Sequence, residues 1–194
     1  MLNTFKATLA AVAIMALSAV PAAAGTEEEL MSNYMDLYVA PWVADPAIIA
    51  AIQAQNAAHA GLTDADIDTM DKAWRAEADA GTGATIDPVL TNAVSELLRG
   101  HLAEADGTIT ELFIMDNRGL NVAVSAPTSD YWQGDEEKFT ETYAKGANAR
   151  HISEIESDVS TGKFQAQVSM TIVDPATGMP IGAITAGFAA DSLL

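Results

Sequence analysis

The hydrophobic periodicity of this chain changes once, at Thr108, and that change restricts the folds it can form. Before Thr108 the apolar residues recur at the three- and four-residue spacing of amphipathic helices, and after it they alternate with a period of two. Turn residues separate the alternating runs, most clearly at 174–178, where Asp-Pro-Ala-Thr-Gly favours a hairpin. Five strands are predicted, at 109–115, 120–125, 152–155, 164–173 and 181–188. Helices followed by antiparallel strands predict an α+β domain with the helices on one side of the sheet.

The first half is expected to form four helices, and capping residues mark where three of them begin. Asp-Pro pairs at 45–46 and 87–88 each supply an N-cap and a first-turn proline, and Thr63 opens a capping box. The helix after Thr63 carries Trp74 on its apolar stripe, so we expect Trp74 to be buried. The helix after the second Asp-Pro pair is expected to reach Leu102.

Residues 1–24 have the order of a secretory signal peptide. Lys6 is the only charge, an apolar run of 14 residues covers 7–20, and Ala22 and Ala24 form a small-residue cleavage site. The run is shorter than the roughly 20 residues that a membrane-spanning helix needs. We therefore expect cleavage before Gly25, a periplasmic location and no membrane insertion after cleavage.

The remaining 170 residues suit one domain with one core, made of a helical region, 25–107, and a sheet region, 108–194. The chain has no cysteine, so no disulfide framework supports it. It has 27 acidic and 9 basic residues, and loss of Lys6 with the signal leaves 8 basic residues and a net charge of −19. Nucleic acids and anionic membrane surfaces would repel such a protein, so neither is expected as a partner.

The sequence lacks the common catalytic and cofactor patterns. It has no cysteine nucleophile, no G-x-S-x-G turn and no H-E-x-x-H helix. The acidic run 64–68 resembles the start of a calcium loop, but Thr69 and Arg75 stand where that loop requires glycine and glutamate. We expect neither an enzyme nor a cofactor or metal.

The segment 128–136 concentrates two large aromatic residues and three acidic residues in a predicted loop. Aromatic rings beside a carboxylate can enclose a small ligand that carries a positive group. The alternative is a scaffold, in which Trp132 fills the core while Asp135 and Glu136 open the following helix. The two interpretations are compatible, and both stay open.

The strand at 164–172 alternates between an apolar and a polar face. The polar face carries Gln165, Gln167, Ser169 and Thr171. In an ordinary antiparallel sheet this face meets solvent. If a loop covers it instead, the same side chains become a hydrogen-bonding floor for a ligand.

The second half resembles the Cache family, the PAS-like extracytoplasmic sensor domains of bacteria, in its single-module form. The resemblance is carried by the hairpin at 112–123, the loop at 129–136 and the closing hairpin at 173–184, in that order after a long helical region. It implies N-terminal helices followed by a five-stranded antiparallel PAS-like sheet. It also implies a ligand between the sheet and the loop after the second strand.

The resemblance assigns ligand-binding roles to five residues. It implies that Tyr131, Trp132 and Asp135 lie in the pocket-lining loop, that Asp158 lies on the segment facing that loop, and that Gln167 lies on the floor strand. Such domains commonly sit between two membrane helices, and no second apolar helix follows here. Signalling is therefore expected to pass through a membrane partner, such as a receptor or kinase.

Together these observations predict a soluble periplasmic sensor domain that binds a small metabolite, with an amine or amino acid favoured. Two alternatives remain. The chain could be a structural or assembly factor without a ligand, or a periplasmic enzyme on the same scaffold.

Overall fold

The computed structural model describes residues 27–158 and 160–192, and the predicted export signal lies outside them. The helices are α1 Glu27–Tyr34, continued by a π-helical turn Met35–Val39, then α2 Ala40–Val43, α3 Pro46–His59, α4 Asp64–Ala78, α5 Ile86–Leu90, α6 Ala93–Glu104 and α7 Glu137–Thr140. The strands are β1 Ile109–Met115, β2 Asn121–Val124, β3 Arg150–Ile152, β4 Glu156–Ser157, β5 Phe164–Val173 and β6 Pro180–Ala189. Short 3-10 turns lie at Tyr143–Lys145 and Ala190–Ser192.

The predicted caps begin α3 and α4, whereas the cap predicted at Asp87 is wrong, because α5 begins at Ile86 and Asp87 lies within its first turn. The Asp45 carboxylate accepts the Ala47 N–H at 2.7 Å, and Thr63 forms the capping box with Asp66. In the part of the chain that the structure describes, no single helix is long and apolar enough to cross a membrane. Only a pair bent by 72°, Glu28–Val43 with Pro46–His59, meets the length and composition requirement when its two parts are joined.

The predicted helix from the second Asp-Pro pair to Leu102 is two helices, α5 and α6. Asn92 causes the break, because its side-chain oxygen accepts the Ser95 N–H at 2.8 Å and so caps α6. Its amide nitrogen donates to the carbonyls of Val89 at 3.0 Å and Val122 at 2.9 Å. Asn92 therefore ends one helix, begins the next and ties both to β2.

All strand pairs are antiparallel, and the sheet order is β2-β1-β6-β5-β3, with β4 also paired to β5. The α+β prediction is confirmed, but the expectation that the helices lie on one side is wrong. Trp74 of α4 packs on the opposite face of the sheet from α1, α3 and α6. The strand predicted at 152–155 is replaced by β3 and β4, because Ser153 interrupts the edge. The Ser153 hydroxyl accepts the Gln167 N–H at 2.8 Å in place of a backbone carbonyl, and the ladder stops there.

The sheet has a helix face and a cavity face, and each is covered. On the helix face, Leu112, Ile114 and Val168 pack against α1, α3 and α6. On the cavity face, Phe113 and Met115 pack against a cluster that includes Trp74, Tyr131 and Phe139. The polar face of β5 lies on the cavity side and is largely buried, with Gln165 2% and Ser169 0% exposed. The solvent-facing alternative for this face is therefore wrong.

Candidate functional site

A cavity of about 700 Å³ opens on the cavity face, above the β5 end of the sheet. Gln165 and Gln167 of β5 form its floor. One wall is β3 with the residues that follow it, up to Asp158, and the other is the loop after β2 with the start of α7. The loop and the floor therefore enclose a single polar space.

The loop is held in place by α4. Asp71 accepts the backbone N–H groups of Tyr131 at 2.9 Å and Trp132 at 3.0 Å. The Trp74 indole N–H donates to the Thr128 carbonyl at 2.8 Å. One helix thus fixes the position of the wall that contributes Asp135 to the cavity.

A row of three residues crosses neighbouring strands and includes Gln167 of the floor. Glu111 of β1 pairs with Gly187 of β6, which pairs with Gln167 of β5. Glu111 reaches over the glycine, and its Oε1 accepts amide N–H groups from Gln167 at 2.8 Å and Gln165 at 2.5 Å. A β-carbon at position 187 would lie 2.9 Å from Glu111 Cγ and 3.0 Å from Gln165 Cδ, so the approach requires glycine.

Burial dominates the electrostatics of Glu111, which is 5% exposed. Burial, and then the neighbouring Asp158 carboxylate, raises the pKa of Glu111 above its ordinary value. The hydrogen bonds from Gln167 and Gln165 and the charge of Lys138 oppose that shift only in part. Glu111 therefore gains a proton at a higher pH than an exposed glutamate would.

The lining of the cavity is strongly acidic. It contains six carboxylates and one lysine: Asp135, Glu136, Glu137, Glu154, Glu156, Asp158 and Lys138. The Lys138 ammonium lies 2.8 Å from Glu136 Oε2 and 3.3 Å from Gln133 Oε1, and 5.5 Å from the centre of the Phe113 ring. Within residues 27–158 and 160–192, no three histidine, aspartate or glutamate side chains are placed to hold a metal ion.

Asp158 organises the turn at one side of the cavity. Its Oδ1 accepts the Thr161 N–H at 2.7 Å and the Ser160 hydroxyl at 2.7 Å, and Gly162 completes the turn with a φ of 65°. Partial burial raises the pKa of Asp158, but the hydrogen bonds from Ser160 and Thr161 and the charge of Lys138 outweigh it, so the pKa is lowered overall. Asp158 therefore keeps its negative charge at the cavity wall.

The structure brings three of the five residues assigned by the family resemblance to this cavity. Asp135, Asp158 and Gln167 contribute to its lining, whereas Tyr131 and Trp132 are not among the lining residues. Their roles in binding stay predictions.

The two aromatic residues of the loop make packing contacts. Tyr131 is 4% exposed, and its ring stacks on Trp74 with 5.2 Å between the centroids. Burial, and to a lesser extent Asp116, raises the pKa of the Tyr131 hydroxyl. The Trp132 indole N–H donates to the Arg118 carbonyl at 2.8 Å, which joins the loop to the β1–β2 turn.

Sequence reasoning missed Glu111 and Lys138. Glu111 did carry a signal, since it is the one charged residue in the apolar strand β1. A charge within such a strand indicates a buried partner. Lys138 had no comparable signal, because a lysine in the first turn of a short amphipathic helix is ordinary.

No protein-family model matches the sequence, and no curated protein matches it. Solved structures with a related fold include the ligand-binding domain of the Campylobacter jejuni chemoreceptor Tlp3 in complex with 4-methylisoleucine. It is 12% identical, with a TM-score of 0.42, and the match covers 86% of this chain and 61% of that one. The chain thus spans less than two thirds of that domain.

Other solved structures that are similar to this chain include the following two. The sensor domain of E. coli DcuS is 14% identical with a TM-score of 0.39, over 67% of this chain and 96% of that one. An extracellular ligand-binding receptor from Desulfohalobium retbaense is 16% identical with a TM-score of 0.36, over 76% of this chain and 25% of that one. These neighbours are sensory and ligand-binding proteins.

Proposed function

We propose that this chain is an extracytoplasmic sensor domain that binds a small organic cation in the acidic cavity. The observation that supports this function is the cavity of about 700 Å³, whose lining holds six carboxylates and one lysine. A space of this size accommodates a small metabolite. Carboxylates that converge on one space lower the energy of a bound positive charge.

The charge balance favours an amine over an amino acid. An amino acid would bring a carboxylate, which needs a cationic partner. The Lys138 ammonium is already engaged by Glu136, and the His151 Nε2 lies 3.6 Å from Glu137 Oε2. No arginine lines the cavity in the described part of the chain. A molecule with a positive group at each end, such as a diamine, therefore fits the lining better.

The predicted export signal at 1–24 supports a periplasmic location for residues 25–194, which form one domain under this proposal. The bound state would be passed to a membrane partner, such as a receptor or kinase. Under this proposal Asp135 and Asp158 bind the ligand, Gln167 forms the floor of the cavity, and Tyr131 and Trp132 support the loop. The chain acts by binding and not by catalysis.

A thermal-shift screen tests the proposal. The probes are 1,4-diaminobutane, as a dication, and isoleucine, as an amino acid. A ligand at a hundred times its dissociation constant stabilises the folded state by about 2.7 kcal/mol. We expect the diamine to raise the unfolding midpoint and isoleucine to leave it unchanged.

Asp135→Asn tests the role of the cavity carboxylates, because it removes one cavity charge and keeps the side-chain shape. We expect it to weaken diamine binding by roughly tenfold to a hundredfold, the worth of a charge-assisted hydrogen bond. Glu104→Gln is the control, since Glu104 lies on α6 and is not part of the lining, with its side chain 79% exposed. An unfolding midpoint that neither probe changes, or equal binding by both variants, would refute the proposal.

A further inference from the structure

The side-chain amide of Gln167 lies on the floor of the cavity, and among the described residues only its nitrogen end is hydrogen-bonded. Its nitrogen donates to Glu111 Oε1 at 2.8 Å. No residue in the described ranges donates a hydrogen bond to its carbonyl oxygen, although Gln167 contributes to the cavity lining. The neighbouring Gln165 differs, because its carbonyl oxygen accepts from the hydroxyls of Thr110 and Thr161.

The charge state of Glu111 determines which end of the Gln167 side-chain amide is left to bind a ligand. An ionised carboxylate can only accept, so the amide must turn its nitrogen toward Glu111. The carbonyl oxygen is then left for a ligand. Glu111 does this from the same face of the sheet, across Gly187, and is not itself among the lining residues.

We propose that Glu111 is a positioning residue that makes the cavity selective for ligands with N–H donors, by holding the Gln167 carbonyl oxygen ready to accept. This inference rests on the proposed binding of organic cations and adds a second criterion to it. The wall carboxylates recognise positive charge and accept N–H groups, and the floor adds one further acceptor that favours a primary ammonium over a quaternary one. A quaternary ammonium carries the same charge but offers no N–H group.

Protonation of Glu111 should weaken this selectivity. A protonated carboxyl can donate to the Gln167 carbonyl oxygen, which turns the amide and presents N–H groups to the ligand. The charged groups that act on Glu111 are Asp158, on the turn before β5, and Lys138, on α7. Burial and Asp158 place the pKa of Glu111 above its ordinary value, so the loss should begin at a pH where Asp158 is still ionised.

The experiment compares two dications by isothermal titration calorimetry: 1,4-diaminobutane and its hexamethylated bis-quaternary analogue, which keeps both charges and has no N–H donor. The quantity of interest is the ratio of their dissociation constants. We expect the wild-type protein to prefer the diamine by about tenfold, the equivalent of one good hydrogen bond. Gln167→Met removes the floor acceptor, and Glu111→Gln no longer fixes the Gln167 amide, because a glutamine amide can donate as well as accept. Both variants should lower that ratio.

Glu137→Gln is the matched control for Glu111→Gln. Glu137 lines the cavity with its side chain 78% exposed, so its loss removes one charge without touching the floor. It should weaken both probes equally and leave the ratio unchanged. In the wild type the ratio should fall as the pH is lowered. The fall should begin at a higher pH than the value of about 4.3 at which an exposed glutamate is half-protonated, because burial and Asp158 raise the pKa of Glu111. Glu111→Gln should show no such step.

The outcomes separate this inference from the proposed function. If both dications bind and neither floor variant alters the ratio, the inference is wrong while the acidic cavity still binds cations. If neither dication binds, the proposed function fails and the inference with it. Should Glu111→Gln fail to fold, the Gln167→Met ratio and the wild-type pH profile give the same decision.

Discussion

At the scale of single residues, Trp74 connects the helices to the cavity. It is fully buried, its ring stacks on Tyr131, and its indole N–H donates to the Thr128 carbonyl at 2.8 Å. It therefore holds both the core of the cavity face and the start of the loop that carries Asp135. Substitution of Trp74 should therefore lower both the stability of the fold and the affinity for a ligand.

Trp74→Ala should lower the free energy of unfolding by about 3–5 kcal/mol, the range for truncating a large core side chain. Urea denaturation at equilibrium measures the loss. Trp74→Phe is the companion variant, since it keeps most of the ring volume and removes only the N–H donor. It should cost less than Trp74→Ala, and a loss below roughly 1 kcal/mol for Trp74→Ala would show that the residue is not a core residue.

The sequence predicts the burial of Trp74 but not the row that Glu111, Gly187 and Gln167 form across the sheet. The burial of Trp74 follows from helical spacing, which is a local property, and it is confirmed. The contact between Glu111 and Gln167 joins residues 56 positions apart in the sequence and depends on the register of β1, β6 and β5. A pattern within one strand can show that Gln167 faces away from the apolar side, but it cannot show which residue lies opposite.

At the scale of elements, β6 brings the two sides of the site together. It lies between β1 and β5, and the glycine near its end, Gly187, lets Glu111 reach the floor amides. The helices were easier to predict than this strand contact, because Asp45 and Thr63 act on their own backbone neighbours. Asn92 was missed as a cap because its apolar neighbours continue the helical pattern across the break.

Gly187→Ala should be destabilising by about 1–3 kcal/mol, the usual cost of adding an atom to a packed site. The new β-carbon would lie 2.5 Å from Thr110 Oγ1 and 2.9 Å from Glu111 Cγ, so one of these side chains must move. Thermal and urea denaturation measure the effect. The matched control is Gly100→Ala on α6, where no atom lies within 4 Å of the added carbon. That variant should gain roughly 0.5–1 kcal/mol from helix propensity, and equal effects of the two substitutions would contradict the close approach at Gly187.

At the scale of the whole molecule, negative charge is carried by the chain as a whole and is also concentrated in the cavity lining. The chain has a formal net charge of −18, and the cavity lining alone holds six carboxylates. General self-repulsion weakens the folded state, and dissolved salt screens it. The same screening weakens the attraction between the cavity and a dication. Stability and binding should therefore respond to salt in opposite directions.

Raising sodium chloride from about 20 mM to about 500 mM shortens the screening length from tens of ångströms to a few. We expect the unfolding midpoint of the protein alone to rise by about 2–4 °C, the shift that 1 kcal/mol gives a chain of this size. Over the same range the affinity for 1,4-diaminobutane should fall by roughly tenfold, measured by calorimetry at each salt concentration. Asp135→Asn should reduce the salt dependence of binding while leaving that of stability nearly unchanged, because it removes one charge of 27 from the molecule but one of six from the cavity lining. If affinity proves independent of salt, the cavity carboxylates do not hold the ligand by charge, and a neutral ligand would have to be sought.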